Sequence, residues 1–277
     1  MTFMQMLAQA WERNASLVCV GLDPEPERLP KSLRDSPDAL FEFCRAIVDA
    51  TAGFVCCFKP QIAHFAAQRA EDALERLIAH VHAHHPGVPV ILDAKRGDIG
   101  STAQHYAREA FDRYDADAVT LNPYLGRDAV QPFLDRADKG AIILCHTSNA
   151  GAEDLQDLTV RIESRDVPLY QHVAARIARD WNTNGNCAVV VGATFPEQLA
   201  EVRDLIGEMP ILVPGVGAQG GDIDAVVRNG ATADGTGLMI SSSRTILYAS
   251  SGDDFAAAAA AAARDLRDAV NLARSRN

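Results

Sequence analysis

Nothing in this chain of 277 residues is built to enter a bilayer or to hold a polyanion. No apolar run approaches the roughly 20 residues that a membrane-crossing helix requires. Basic runs and a basic face are also missing, and a formal net charge of -11 argues against nucleic-acid and membrane-surface partners, leaving room only for small anions held by a few local cations. Met1 to Arg13 lacks the basic start and apolar core of a signal peptide and reads as a short amphipathic helix. Paired metal-ligand spacing is absent among Cys19, Cys44, Cys56, Cys57, Cys145 and Cys187, most of which lie in apolar runs. They are expected as buried thiols in a reducing cytoplasm. Cys56 and Cys57 are expected on opposite faces of a strand, which disfavours a bridge between them. No Pro/Ser-rich linker divides the chain, so residues 1–277 read as one domain.

What is present is alternation. Short apolar runs recur at Leu17 to Leu22, Phe54 to Phe58, Val88 to Leu92, Ala118 to Leu121, Ala141 to Cys145, Ala188 to Val191, Ile211 to Val213 and Leu238 to Ile240. Between them lie segments of helical period, such as Leu40, Phe43, Cys44, Ile47 and Val48, or Ala73, Leu74, Leu77 and Ile78. Eight strand–helix units in a chain of this length predict an α/β fold, a single closed (β/α)8 TIM barrel, over an open sheet. The low-complexity run Ala256 to Ala263 continues in helical spacing through Leu266, Ala269, Val270 and Ala273, and predicts a closing helix.

In such a barrel, chemistry sits where strands end. The third run ends in Asp93-Ala94-Lys95-Arg96-Gly97-Asp98-Ile99, with a lysine between two carboxylates. Strand alternation puts Asp93 and Lys95 on one face, while Asp98, in a glycine-containing loop, either turns back to this Lys95 or reaches elsewhere. A surface ion pair of little energetic weight is the plainer alternative. Lys59 ends the second run, where a buried ammonium needs a carboxylate or an anionic ligand. Asp23 ends the first run and taken alone reads as a turn aspartate. The fifth run leads into His146-Thr147-Ser148-Asn149, which suits the edge of a polar heterocycle or an ordinary turn. After the seventh, Pro214-Gly215-Val216-Gly217-Ala218-Gln219-Gly220-Gly221 lets backbone amides approach an anion, and Arg244 follows the eighth strand, the usual phosphate position in barrels. His80, His82, His84 and His85 read as a solvated helix end rather than a metal site.

Taken together, Gly21-Leu22-Asp23-Pro24, Phe58-Lys59-Pro60-Gln61, the Asp93 to Thr102 motif, Asn122-Pro123-Tyr124, Thr147-Ser148-Asn149, Pro214 to Gln219 and Ser243-Arg244 resemble the orotidine 5'-phosphate decarboxylases, in their divergent second branch. The resemblance implies conversion of orotidine 5'-monophosphate to UMP and carbon dioxide, the last step of de novo UMP synthesis, without metal or organic cofactor. It implies that Lys95 stabilises a carbanion at C6 and protonates it. Asp93 would lie beside the leaving carboxylate, with Lys59 and Asp98 completing the charge network. It further implies a homodimer in which Asp98, Ile99 and Thr102 enter the neighbouring site, with Asp23 on the ribose, Ser148 on the pyrimidine, and Gln219 and Arg244 on the phosphate. Against the commoner branch, Pro60 and Gln61 follow Lys59, Gly100 replaces a frequent proline, Ser243 replaces a usual glycine, and the stretch from Asn149 to Tyr170 is longer. The rivals are a metal-dependent sugar-phosphate lyase, a Schiff-base aldolase using Lys95, and a non-catalytic nucleotide-binding barrel.

Overall fold

The computed structural model describes residues 1–216 and 221–276. Eight parallel strands form one sheet: β1 (Val18–Leu22), β2 (Cys57–Pro60), β3 (Ile91–Arg96), β4 (Ala118–Leu121), β5 (Gly140–His146), β8 (Cys187–Val191), β9 (Ile211–Pro214) and β10 (Leu238–Ser242). Their order is β2-β1-β10-β9-β8-β5-β4-β3. The two ends of that order meet through isolated parallel bridges, Phe58 to Val90 and Gln61 to Asp93, which close the expected TIM barrel. The antiparallel hairpin of β6 (Thr159–Ile162) and β7 (Arg165–Pro168) stands outside it, in the long fifth-unit segment. Each of its strands is only four residues long and the hairpin turns through Glu163 at a φ of 55° with no glycine, so the brief alternation Thr159-Val160-Arg161-Ile162 is too short to announce it.

Strand alternation sorts the core into two. Val18, Val20 and Leu22 of β1 face outward and pack beneath the helices, as do Phe58, Leu92 and Val119. Cys19, Cys57, Ile91, Ala118, Ile142, Ala188, Leu212 and Met239 fill the barrel interior. The helix Phe3–Arg13 closes the floor: Phe3, Leu7 and Ala10 join the interior cluster, and Phe3 N–H donates to the carbonyl of Asp138 at 2.8 Å. A capping box in which Thr2 and Gln5 exchange side-chain and backbone hydrogen bonds starts that helix. Burying Phe3 and Leu7 contributes on the order of 2 kcal/mol each.

The expected helices form at Ala39–Thr51, Glu71–His84 and, for the alanine run, Phe255–Arg274. Three local expectations need correction. The second strand begins at Cys57 rather than Phe54, because Ala52–Phe54 forms a 3-10 turn, and it runs on through Lys59 and Pro60. Cys56 therefore precedes the strand and does not obey its alternation: its Sγ lies 3.7 Å from that of Cys57, and both thiols are free and buried. The histidine stretch is also not uniformly solvated. His84 is exposed, but His80 and His85 turn inward onto Asp49.

Candidate active site

β2 and β3 each deliver charge to the carboxyl end of the barrel. Cys57 faces the interior, so Lys59, two residues on, does so too, and Ile91 sets the same phase for Asp93. Lys59 Nζ lies 2.8 Å from Asp93 Oδ2, with both side chains more than nine-tenths buried. Lys95 Nζ lies 2.7 Å from the other oxygen, Oδ1, and is about half exposed. One carboxylate thus separates two ammonium groups, one sealed in the barrel and one facing its mouth.

The pleat alone does not bring Lys95 there. β3 changes register against β4 between Leu92 and Arg96, and Lys95 sits at a φ of 46°, in the left-handed region that a side chain with a Cβ adopts at a cost of about 1–3 kcal/mol. Thr120 of β4 holds the bulge. Its Oγ1 accepts the N–H groups of Ala94 and Lys95 at 3.0 and 2.9 Å and donates to Asp93 Oδ1 at 2.8 Å. The only hint of Thr120 in the sequence is a hydroxyl at an interior-phase position of an otherwise apolar strand.

The array fixes its own protonation. Burial opposes charge on both buried partners. For Asp93 the adjacent Lys59 and Lys95 ammonium groups outweigh it and hold the carboxyl well below the usual range. For Lys59 the fields of Asp93 and Asp23, with the Asp93 hydrogen bond, outweigh it and hold the ammonium above the ordinary lysine value. Asp93 and Lys59 are therefore both charged at neutral pH.

The remaining candidates ring this centre unevenly. Asp23 is half-buried, and its Oδ1 is a buried oxygen with no hydrogen-bond partner among the described residues. Ser243 Oγ, on the neighbouring strand end, is in the same condition. Gly21 allows this approach, since a Cβ there would stand 2.9 Å from that of Ser243. At these adjacent strand ends both atoms are open to a hydrogen bond from a polar ligand. Ser148 follows β5 and rests on Gly192, where a Cβ would come within 2.8 Å of the serine Cα. His146, fully buried, anchors that loop: its Nε2 meets Asp157 Oδ1 at 2.9 Å, and its ring lies edge-on to Tyr170 and Phe195. Arg244 is exposed and opens the short helix Arg244–Leu247 after β10. Gln219 lies outside the described residues.

Asp98 is not brought to Lys95 within the chain. Its Oδ1 accepts the N–H of Ile99 at 2.8 Å, and it makes no ion pair among the described residues. Arg96, inside the same motif, turns outward to Glu109 at 2.8 Å and over the ring of Tyr106. Ile99, Tyr124 and Leu125, at the ends of β3 and β4, are 59, 78 and 46% exposed. Thr102 is exposed on the helix Gly100–Arg108 beside them.

Eight parallel strands with lysine and aspartate side chains converging at their carboxyl ends define a (β/α)8-barrel enzyme. Residues 16–261 match the Orotidine 5'-phosphate decarboxylase / HUMPS family, and the chain belongs to it. The orotidine 5'-phosphate decarboxylase of Azoarcus sp. (strain BH72) is 65% identical over 274 residues, covering 99% of this chain and 100% of that protein. The structure of Leishmania donovani OMP decarboxylase matches with a TM-score of 0.84 at 40% identity, over 99% of each chain. That of Leishmania donovani UMP synthase matches with a TM-score of 0.86 at 40% identity, and there the chain spans 57% of the larger protein's length.

Proposed function

We propose that the chain converts orotidine 5'-monophosphate to UMP and carbon dioxide, the reaction of orotidine-5'-phosphate decarboxylase (EC 4.1.1.23), with residues 1–277 acting as one catalytic domain in the cytoplasm. Family membership and full-length identity to decarboxylases support the reaction. The observation that carries the mechanism is Asp93 held between Lys59 and Lys95. Loss of carbon dioxide leaves an electron pair on C6 of the pyrimidine, and a cation must stand there as it develops. Lys95 has the one ammonium of the array that faces the mouth, so it stabilises that pair and then donates the proton that replaces the carboxylate. No metal or organic cofactor enters this sequence. Asp93 stands beside the substrate carboxylate. Two carboxylates about 4 Å apart repel by about 4 kcal/mol at an effective dielectric of 20, which sets the scale on which ground-state stress acts.

Substrate contacts follow the strand ends. Asp23 takes the ribose hydroxyls beside Lys59, Ser148 reads the pyrimidine edge, and Gln219 and Arg244 hold the phosphate. Binding energy from that remote phosphate is available to favour the transition state at the ring. The apolar patch of Ile99, Tyr124 and Leu125, set beside an Asp98 with no cationic partner among the described residues, supports a homodimer. Across its twofold axis Asp98, Ile99 and Thr102 complete the partner's site.

The test follows the absorbance of orotidine 5'-monophosphate mixed with purified protein in EDTA, with Lys95→Ala as control. Loss of substrate with UMP formation, absent in the control, is expected. Activity that vanishes in EDTA and returns with magnesium would instead identify a metal-dependent lyase.

A further inference from the structure

We infer that Asp49, His80 and His85 form a binding site for a divalent ion of zinc's class, at the end of the barrel opposite Lys95. Asp49 lies near the C-terminus of the helix Ala39–Thr51, His80 near that of Glu71–His84, and His85 caps the latter. Both imidazoles aim Nε2 at one atom: His80 Nε2 is 2.6 Å and His85 Nε2 2.8 Å from Asp49 Oδ1. One ligand atom from each residue falls within 4.8 Å of the others. Zinc bound tetrahedrally at about 2.0–2.1 Å needs donors roughly 3.3 Å apart, so small side-chain rotations that part these atoms admit the ion.

Several features favour a cation at this point. The helices Ala39–Thr51 and Glu71–His84 both end beside it, and the negative ends of their dipoles point there. The His80 and His85 side chains are 13 and 20% exposed, whereas Asp49 is 46% exposed, which leaves an approach from solvent and a place for water as fourth ligand. His84 stacks on His80 with ring centroids 4.2 Å apart and its Nδ1 meets the His80 carbonyl at 3.0 Å, fixing the second imidazole layer. Two imidazoles and one carboxylate suit zinc and its neighbours, not magnesium or calcium, which take oxygen ligands. The sequence conceals the site because Asp49 belongs to a different helix from the histidines.

The experiment is calorimetric titration of the untagged full-length protein with zinc chloride, repeated with magnesium chloride and with a His80→Ala/His85→Ala variant whose fold is checked by circular dichroism. One equivalent of zinc is expected, with affinity at least tenfold weaker in the variant, no comparable binding of magnesium and no change in decarboxylation. Equal zinc binding by wild type and variant, or none by wild type, overturns the site. Should the variant not fold, imidazole nitrogen spectra of the wild type decide: the His80 and His85 Nε2 signals must shift with zinc, and unmoved signals overturn it.

Discussion

Thr120 Oγ1 donates to Asp93 Oδ1 across 2.8 Å, from one strand to the next. The same hydroxyl accepts the backbone N–H of Lys95 at 2.9 Å, so a single side chain on β4 aligns the carboxylate and pins the left-handed residue that carries the half-exposed ammonium. Thr120→Val keeps the shape and removes all three interactions. Unfolding should become easier by about 1–3 kcal/mol, and kcat/KM should fall on the order of 10- to 100-fold through displacement of Lys95. Denaturant melts and steady-state kinetics measure the two effects, and unchanged kinetics would remove Thr120 from the site's support.

Lys95 is about half exposed and contributes little packing, so its loss should be chemical rather than structural. Lys95→Ala is expected to abolish turnover while leaving UMP binding largely intact by calorimetry. Turnover near that of the wild type would sink the assignment of the proton donor.

The buried pair predicts a pH dependence of stability with a definite sign. Asp93 has its pKa lowered from 3.8, so its contribution is present above pH 3.8 and is lost as pH falls through the lower folded value. Lys59 has its pKa raised from 10.5, so its contribution is present below pH 10.5 and is lost as pH rises through the higher folded value. Asp93→Asn leaves Lys59 buried without its counter-charge and should cost about 3–5 kcal/mol at neutral pH. That gap should narrow as urea unfolding is repeated into the range below pH 3.8. A gap independent of pH would mean that the pair does not titrate with folding.

Gly192 supports Ser148 from beneath, and any Cβ there would press on the serine backbone at 2.8–2.9 Å. Gly192→Ala should therefore reduce kcat/KM on the order of 10-fold or more, mainly through KM, because the serine and not the charge array moves. A loss confined to kcat would argue against Ser148 as a ring contact.

Asp98, which has no ion-pair partner among the described residues, predicts complementation between subunits. Lys95→Ala and Asp98→Ala proteins, each inactive, should regain activity when mixed, since a heterodimer contains one site with both residues intact. No recovery despite mass-spectrometric proof of subunit exchange would contradict a shared site.

The barrel was legible because its strands are buried on both faces and read as apolar runs, as in Val18–Leu22 and Cys187–Val191, with amphipathic helices between. Asp93, Lys95 and Lys59 were legible because charges at the ends of such runs violate the pattern. Thr120 was not, since a lone threonine in a strand is ordinary and its importance lies in a neighbour 27 positions away. The Lys95 bulge was equally hidden: alternation predicted the right face for the wrong reason, and only the register shift shows the strained backbone. Asp49 joins His80 and His85 across helices, a proximity that no local spacing encodes.

β2 and β3 meet through two isolated bridges, whereas every other neighbouring pair in the barrel shares a ladder, in two cases with a register shift. Lys59 and Asp93, one on each side of that sparse seam, are joined at 2.8 Å. The charge array therefore also works as a stitch: the bond between Lys59 and Asp93 holds the last gap in the cylinder shut. Under the proposed mechanism, preparing the site and closing this seam draw on the same ion pair, so amide exchange along the β2–β3 seam should slow when substrate fills the mouth above it.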